Sequence, residues 1–559
     1  MSGTLMPTAK SSNQSKGPPA SVGPGIDTRR VDEEGTPDVY RNLIDKLKQR
    51  GELDESIIEP MSLDWRAEQE CLPRLKNELA ERKQFLPRAG EIVLFVRELP
   101  RGVTITRERK SGAFKLYHEG NGSFIGNPAW EAGLVGQTPI EAIDLDDVAD
   151  EPEKAMSVSY SGIRVEPVPD PNGKNKSLSK RYKYVPLHHT RPFIFWKEFL
   201  GQIPENQWHM TIKHALTLMS TFSLLDKHRF KGKWPKASIY CHGIYVGSEL
   251  LAIGDTVRLL PKQDGPRCAS TVVIKTIRLE LDNLDKASNN DYDEGRPYNS
   301  SIFIYGKGYT TEAEQSSKEW ASLDDEESKV NMEYYQALYP SHPPNKELKV
   351  PFSRILSRLY DSDAMTLWLP SPLDKEGHIS LRGLDQGQEG LLEARAYARA
   401  TDQRIINDLG STWFWGDTRA QALDLQTVNG LEISQHDTER DPTDWRRQIK
   451  VMESVAQENK MAEQQTGNPL QRNLKAFMAP PPHGLDLPVR SGTVGLKGET
   501  GRLSSGSSTA TGEGSVSGSK RRASRVGDSR SEDDMEEQAK AMGNQRDNRK
   551  KVKVAVVID

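Results

Sequence analysis

The sequence predicts a mainly β chain of the α+β class, with two β-rich modules set between polar ends. Three observations predict it. Runs of Ile, Val, Tyr and Leu recur between tight-turn signals from Glu91 to Tyr309. Helical spacing of apolar residues is confined to a few stretches flanking them. All ten Trp lie between Trp65 and Trp445 and all sixteen Tyr between Tyr40 and Tyr397, so a core outside roughly Thr36 to Val451 has little to bury.

Composition narrows the function classes. At 559 residues the expectation is about two to four domains, yet the apolar fraction of 35% and a mean hydropathy of −0.68 mean that part of the chain stays unfolded. A net charge of −4 makes any basic surface local. Cys71, Cys241 and Cys268 form neither a disulfide framework nor a paired zinc signature, the usage expected of a reducing intracellular compartment. No apolar run approaches the ~18 residues of a membrane span, and the polar N-terminus lacks a signal-peptide core. The expectation is a soluble intracellular protein that needs no cofactor, metal or membrane.

In chain order, residues 1–34 read as disordered and 35–89 as a helical segment, with amphipathic spacing over Tyr40 to Arg50 and Trp65 to Leu86. A β-rich module follows over 90–203. It opens with the strand Glu91 to Arg97, continues into a charged hairpin returning through Phe114, Leu116 and Tyr117, and reaches a small-residue strand after Pro128-Ala-Trp130. Asp144 to Glu153 is an acidic linker or loop, and Val168 to Lys176 is turn chemistry. The bent strands resemble Tudor or PWWP barrels, which close around an aromatic pocket able to hold a methylated ammonium. Phe95, Trp130 and Tyr160 are the candidates for such a pocket, and burial in the core is the other reading open to them.

The densest apolar stretch is Ser177 to Pro261. Alternation over Arg181 to Leu187 predicts a strand. Beyond Pro204, the spacing of Ile212, Ala215, Leu216, Leu218, Met219, Phe222 and Leu225 predicts a helix. The period then changes to that of an antiparallel meander: strands over Ser238 to Val246 and Leu250 to Leu260, with turns at Gly247-Ser248 and Gly254-Asp255. Alternation buries Ile239, Val257, Leu259, Val273 and Ile277, and buries Ile244 if Gly243 marks a bulge that resets the face. Further strands are expected over Thr271 to Leu281 and Ser301 to Tyr309, a helix over Leu391 to Leu409, and a last strand pair from Trp413-Phe-Trp-Gly416 to Val428-Asn-Gly430. This second module spans 204–431, a helical extension 432–461, and a disordered basic tail 462–559.

Several linked motifs in this order resemble one family. Tyr160-Ser-Gly-Ile-Arg-Val-Glu166, Lys176-Ser-Leu-Ser-Lys180, Tyr182-Lys-Tyr-Val-Pro-Leu187, Arg191-Pro-Phe193, Ala237-Ser-Ile-Tyr-Cys241, Gly243-Ile-Tyr-Val-Gly-Ser-Glu249, Gly254-Asp-Thr-Val-Arg-Leu259 and Trp413-Phe-Trp-Gly-Asp417 are similar to the fungal transcription-silencing family called cryptic loci regulator 2. The resemblance runs from about Gly90 to Leu431. It implies a non-enzymatic nuclear protein of heterochromatin, a scaffold subunit of the SHREC silencing complex, whose partners are a histone deacetylase and a nucleosome remodeller. It also implies a methyl-CpG-binding-domain-like module that contacts DNA, followed by a bromo-adjacent homology (BAH) barrel. The family's N-terminal module is not recognisable upstream of Leu86.

Catalytic patterns fail on the residues. Gly306-Lys307-Gly308 lacks the rest of a phosphate-binding loop and reads as a strand-end turn. Cys241 and His242 fall on opposite faces of one strand. His209 and His214 have no cysteine pair nearby and read as ordinary histidines. A scaffold contacting DNA or nucleosomes leads, and a reader of modified lysine on a histone peptide is the alternative. Two basic runs flanking the expected helix are the candidate DNA contacts: Lys174, Lys176, Lys180, Arg181 and Lys183, interleaved with Tyr182 and Tyr184, and Lys227, Arg229, Lys231, Lys233 and Lys236 around Trp234. Ser519-Lys-Arg-Arg522 and Arg549-Lys-Lys-Val-Lys553 are candidate nuclear-import signals.

Overall fold

The computed structural model describes residues 39–58, 63–81, 83–139, 143–149, 162–261, 268–286, 299–320, 335, 337–370, 383–406, 411–428 and 431–432. Tyr160, the expected N-terminal disorder, the helical extension beyond Glu432 and the tail with its import signals lie outside them.

The chain opens with helix α1 (Val39–Arg50), strand β1 (Glu52–Ser56) and helix α2 (Leu63–Ala80). Helical spacing gives α1 a buried stripe of Leu43 and Leu47, and its last turn carries Lys48 and Arg50, which suit the negative end of the helix dipole.

A five-stranded antiparallel sheet follows, built from β2 (Ile92–Val96), β6 (Trp130–Gln137), β7 (Ile163–Pro167), β8 (Lys183–Val185) and β9 (Thr190–Pro192) in the order β8-β7-β6-β2-β9. The charged hairpin forms a separate three-stranded sheet of β3 (Val103–Arg107), β4 (Phe114–His118) and β5 (Ser123–Gly126). β2 is buried on both faces, which is why it reads IVLFV without alternation. Gly133 of β6 is required by close approach, because a Cβ there would stand 2.3 Å from Val165 Cγ1 and 2.9 Å from Phe95 Cε1. Helices α3 (Trp196–Leu200) and α4 (Met210–Thr217) come next, and Thr211 of α4 accepts a hydrogen bond from the Ala132 backbone N–H at 2.8 Å.

The helix expected to run to Leu225 stops at Thr217. From Thr221 the chain is strand β10 (Thr221–Lys233), hairpinned to β11 (Lys236–Val246), so Phe222 and Leu225 are strand residues. Phe222 and Leu224 already alternate with Thr221 and Ser223, and cross-strand pairing with Val246 and Ile244 outweighs the helical spacing. The meander continues through β12 (Glu249–Ala252), β13 (Thr256–Leu259), β14 (Ser270–Asp282) and β15 (Asn299–Thr310), with Gly247 at φ 56° and Gly254 at φ 95° in the predicted turns. Ile239, Val257, Leu259, Val273 and Ile277 are all buried. Ile244 is buried too. Ile239 and Cys241 share a core with Ile244 and Val246, so the buried face of β11 changes between Cys241 and Ile244, while the register shift of the pair lies on the other side of Cys241, where Lys227 pairs with Cys241 and Arg229 with Tyr240.

Strands β16 (Tyr339–Pro340) and β17 (Leu348–Pro351) pair with β15, and three residues later β18 (Ile355–Arg358) pairs with β13. The sheet therefore curls back on itself, with Val257, Val272, Ile304, Val350 and Phe352 in one buried cluster. β1 adds to the far edge beside β10, which joins the segment before Gly90 to this sheet. Gly306-Lys307-Gly308 lies inside β15, not at its end. Gly306 faces the register shift between Ile274 and Thr276, where a Cβ would stand 1.8 Å from the Val273 carbonyl oxygen.

Helices α5 (Ser362–Trp368) and α6 (Gln388–Thr401) pack on the core shared with the five-stranded sheet, and α6 ends at Thr401, short of the expected Leu409. β19 (Phe414–Trp415) joins β10 in parallel, α7 (Arg419–Leu423) follows, and β20 (Thr427–Val428) pairs with β21 (Leu431–Glu432). The fold is mixed α+β and mostly sheet.

Candidate nucleic-acid interface

β8 is an edge strand of the five-stranded sheet, so one side of it has no strand neighbour among the described residues. The turn before it, Asp170 to Lys180, is shaped by local bonds: the Asn172 N–H donates to Asp170 Oδ1 at 2.9 Å and the Ser177 N–H to Asn175 Oδ1 at 2.9 Å. Lys174, Lys180 and Arg181 are exposed along this turn. Tyr182 and Tyr184, two residues apart on one face, are 46% and 42% exposed and meet edge to face at 6.0 Å.

A buried acid supports the two rings from behind. Arg164 of β7 lies opposite Tyr184 in register, and its guanidinium sits 3.7 Å from the centre of the Tyr182 ring. Glu166 Oε1 accepts from Arg164 Nε at 2.8 Å, while the Tyr184 hydroxyl donates to Gln137 Oε1 at 3.0 Å. Burial pushes the Glu166 carboxyl up to about 7, against the pull of Arg164.

The structure divides the first basic run. Lys183 is half-buried and reaches Glu98 at 2.6 Å, and its hydrogen bond holds that carboxyl below the usual range. Lys176 is buried, with Nζ 2.6 Å from Asp424 Oδ2 and 2.5 Å from the Asp170 carbonyl oxygen, so it ties the turn to the end of α7 and offers no charge to a ligand. Lys174 and Arg181 have no carboxylate partner among the described residues.

The second run lies on a different sheet, the β10–β11 hairpin. Lys227 packs over the Tyr40 ring at 5.0 Å. Arg229 holds Asp54 with two bonds of 2.7 and 2.6 Å, Lys231 reaches the same carboxylate at 3.4 Å, and Lys236 pairs with Asp282 at 2.8 Å. Lys233 is exposed. These partner acids lie far away in sequence, and nothing in the run itself announces them.

Of the aromatic candidates, Phe95 and Trp130 face apart, and Tyr160 lies outside the described residues. Register sets Phe95 opposite Glu131 and Val96 opposite Trp130, so the Phe95 and Trp130 rings leave opposite faces of the sheet. Both are buried, Phe95 beside Gly133 and Trp130 against Phe199 at 5.5 Å.

The weighed catalytic pairs also separate. Cys241 is buried, whereas His242 Nδ1 lies 2.6 Å from Asp226 Oδ2. His209 and His214 bond separately to Thr211 Oγ1 and the Val168 carbonyl oxygen, each at 2.9 Å. Among the described residues no His, Cys, Asp and Glu cluster is placed to hold a metal, and no helix is long and apolar enough to cross a membrane.

Residues 240–361, from the middle of β11 through β18, match the family model of the transcription-silencing protein Clr2. Over these residues the chain is similar to the Clr2 family. The matched segment is the curled part of the large sheet. Lys176 to Arg191, which build the β8 edge, lie before the matched segment. A solved structure titled "Structure of Clr2 bound to the Clr1 C-terminus" is similar at 13% identity over 58% of this chain and 67% of that one, with a TM-score of 0.26. No curated protein matches the chain.

Proposed function

We propose that this Clr2-family chain is a non-enzymatic nuclear scaffold of heterochromatic silencing, which contacts DNA through the β8 edge and holds a histone deacetylase and a nucleosome remodeller in one SHREC-like complex. The carrying observation is that edge itself: Lys180 and Arg181 stand exposed beside the exposed rings of Tyr182 and Tyr184, with Lys174 in the preceding turn. Cations on a turn meet phosphate oxygens as point charges, and flanking tyrosines add sugar and stacking contacts. In this reading the five-stranded sheet is the methyl-CpG-binding-domain-like module and the curled sheet the BAH-like barrel. The paired second run contributes less, because Asp54 and Asp282 already neutralise Arg229, Lys231 and Lys236. Opposite facing of Phe95 and Trp130 favours scaffolding over lysine reading.

Affinity purification of the tagged chain with mass spectrometry tests the assignment. Recovery of a histone deacetylase together with a nucleosome remodeller is the expected result, and recovery of neither overturns it.

A further inference from the structure

The open face of the large sheet carries an alternating row of cations and rings. Register places Arg229, Tyr240, Arg278 and Phe303 directly opposite one another across β10, β11, β14 and β15, and sets Tyr305 against Lys349 beside them. Arg278 is at the centre. Its guanidinium lies 5.0 Å from the Tyr240 ring centre and 4.1 Å from that of Tyr305, and its Nε donates to Thr276 Oγ1 at 3.1 Å. Two rings and one hydrogen bond therefore fix the orientation of its planar fork.

The other cations of the row are neutralised. Asp54 holds Arg229 in two bonds, and Glu280 takes Lys349 at 2.8 Å and the Tyr305 hydroxyl. Arg278 has no carboxylate partner among the described residues. A fixed guanidinium whose terminal nitrogens lack an acid is shaped for two parallel hydrogen bonds to a carboxylate.

We infer that Arg278, between Tyr240 and Tyr305, is a docking site for an acidic side chain on an extended peptide of a partner protein. Charge complementarity at a single centre selects a peptide over a nucleic acid. Asp54, Glu280 and Asp282 share this face, so a continuous phosphate array meets their repulsion, whereas one carboxylate meets the open fork and the flanking rings. The site lies on a different sheet from the β8 edge and stands independently of the DNA assignment.

Fluorescence anisotropy with the full chain tests it, using labelled hexaglutamate, labelled hexaglutamine and a short DNA duplex as probes. Hexaglutamate should bind and hexaglutamine should not, and Arg278→Gln should weaken hexaglutamate by about tenfold or more, the scale of charge-assisted hydrogen bonds. Arg278→Lys should recover only part, because it restores the charge without the fork. Unchanged hexaglutamate affinity in folded Arg278→Gln overturns the inference, as does a larger loss for the duplex than for hexaglutamate, which would mark a phosphate surface. Should Arg278→Gln fail to fold, wild-type hexaglutamate affinity in Arg278→Lys overturns it equally.

Discussion

Arg88 grips Asp255 with both terminal nitrogens of its guanidinium, at 2.6 and 2.8 Å, and both side chains are buried. Arg88 precedes the five-stranded sheet and Asp255 occupies the turn between β12 and β13, so the pair fastens the entry of one sheet to a turn of the other. The grip is extended by Arg88 Nη1, which also donates to the Leu250 carbonyl oxygen, and by Asp255 Oδ2, which accepts from the Ala252 N–H at 2.8 Å.

Removing one member should be costly. Asp255→Ala leaves a buried guanidinium without its carboxylate and should lower stability by about 3–5 kcal/mol in denaturant titration. Burial alone would raise the Asp255 carboxyl, but the Arg88 charge and hydrogen bonds overcome it and hold the group below its ordinary 3.8. A lowered carboxyl contributes stability above its unfolded value, so this contribution is full above about 3.8 and disappears as pH falls through the folded value. Acid titration of wild type and Asp255→Asn should diverge in that window, and parallel curves would remove the assignment.

Glu166 predicts the opposite slope. Its folded value of about 7 exceeds the ordinary 4.5, so its contribution is full below 4.5 and is lost as pH rises through 7. Glu166→Gln should flatten the wild-type decline in melting temperature across that interval. An unchanged pH profile in the variant would contradict the burial argument.

The curled sheet should respond to small changes of volume. Val257 is fully buried, and Val257→Ala should cost on the order of 1–3 kcal/mol through lost burial and a cavity. Gly306→Ala forces a methyl against the Val273 carbonyl oxygen, and overpacking there should cost on the order of 1–3 kcal/mol as well. Gly254→Val is strained by a φ of 95°. Thermal melts of the three variants that overlay wild type would exclude this account of the sheet.

Local pattern made some of this legible and long-range pairing hid the rest. Alternation located β11, β14 and β15 within a residue or two, because each buries one face along most of its length. It misread Leu218 to Leu225, where apolar residues satisfy helical and strand spacing alike and only the partner strand decides. The Gly306 region read as a turn because its glycines answer a bulge in the opposing strand. Phe95 and Trp130 share a residue type that suits a pocket, yet a register offset of one residue sends them to opposite faces. Lys176 and Arg229 read as free cations because their acids, Asp424 and Asp54, are more than a hundred residues away in the chain.

The proposed DNA contact at the β8 edge is tested most directly by gel-shift titration of a duplex at several salt concentrations, comparing wild type with Lys180→Ala, Arg181→Ala and Lys183→Ala combined. Each neutralised phosphate contributes about 0.9 log units of affinity per tenfold change in salt. These side chains are exposed or half-buried at a sheet edge, so the variant should stay folded. The account predicts a shallower salt slope and a similar loss of affinity on unrelated duplexes. An unchanged slope in the folded triple variant would contradict it.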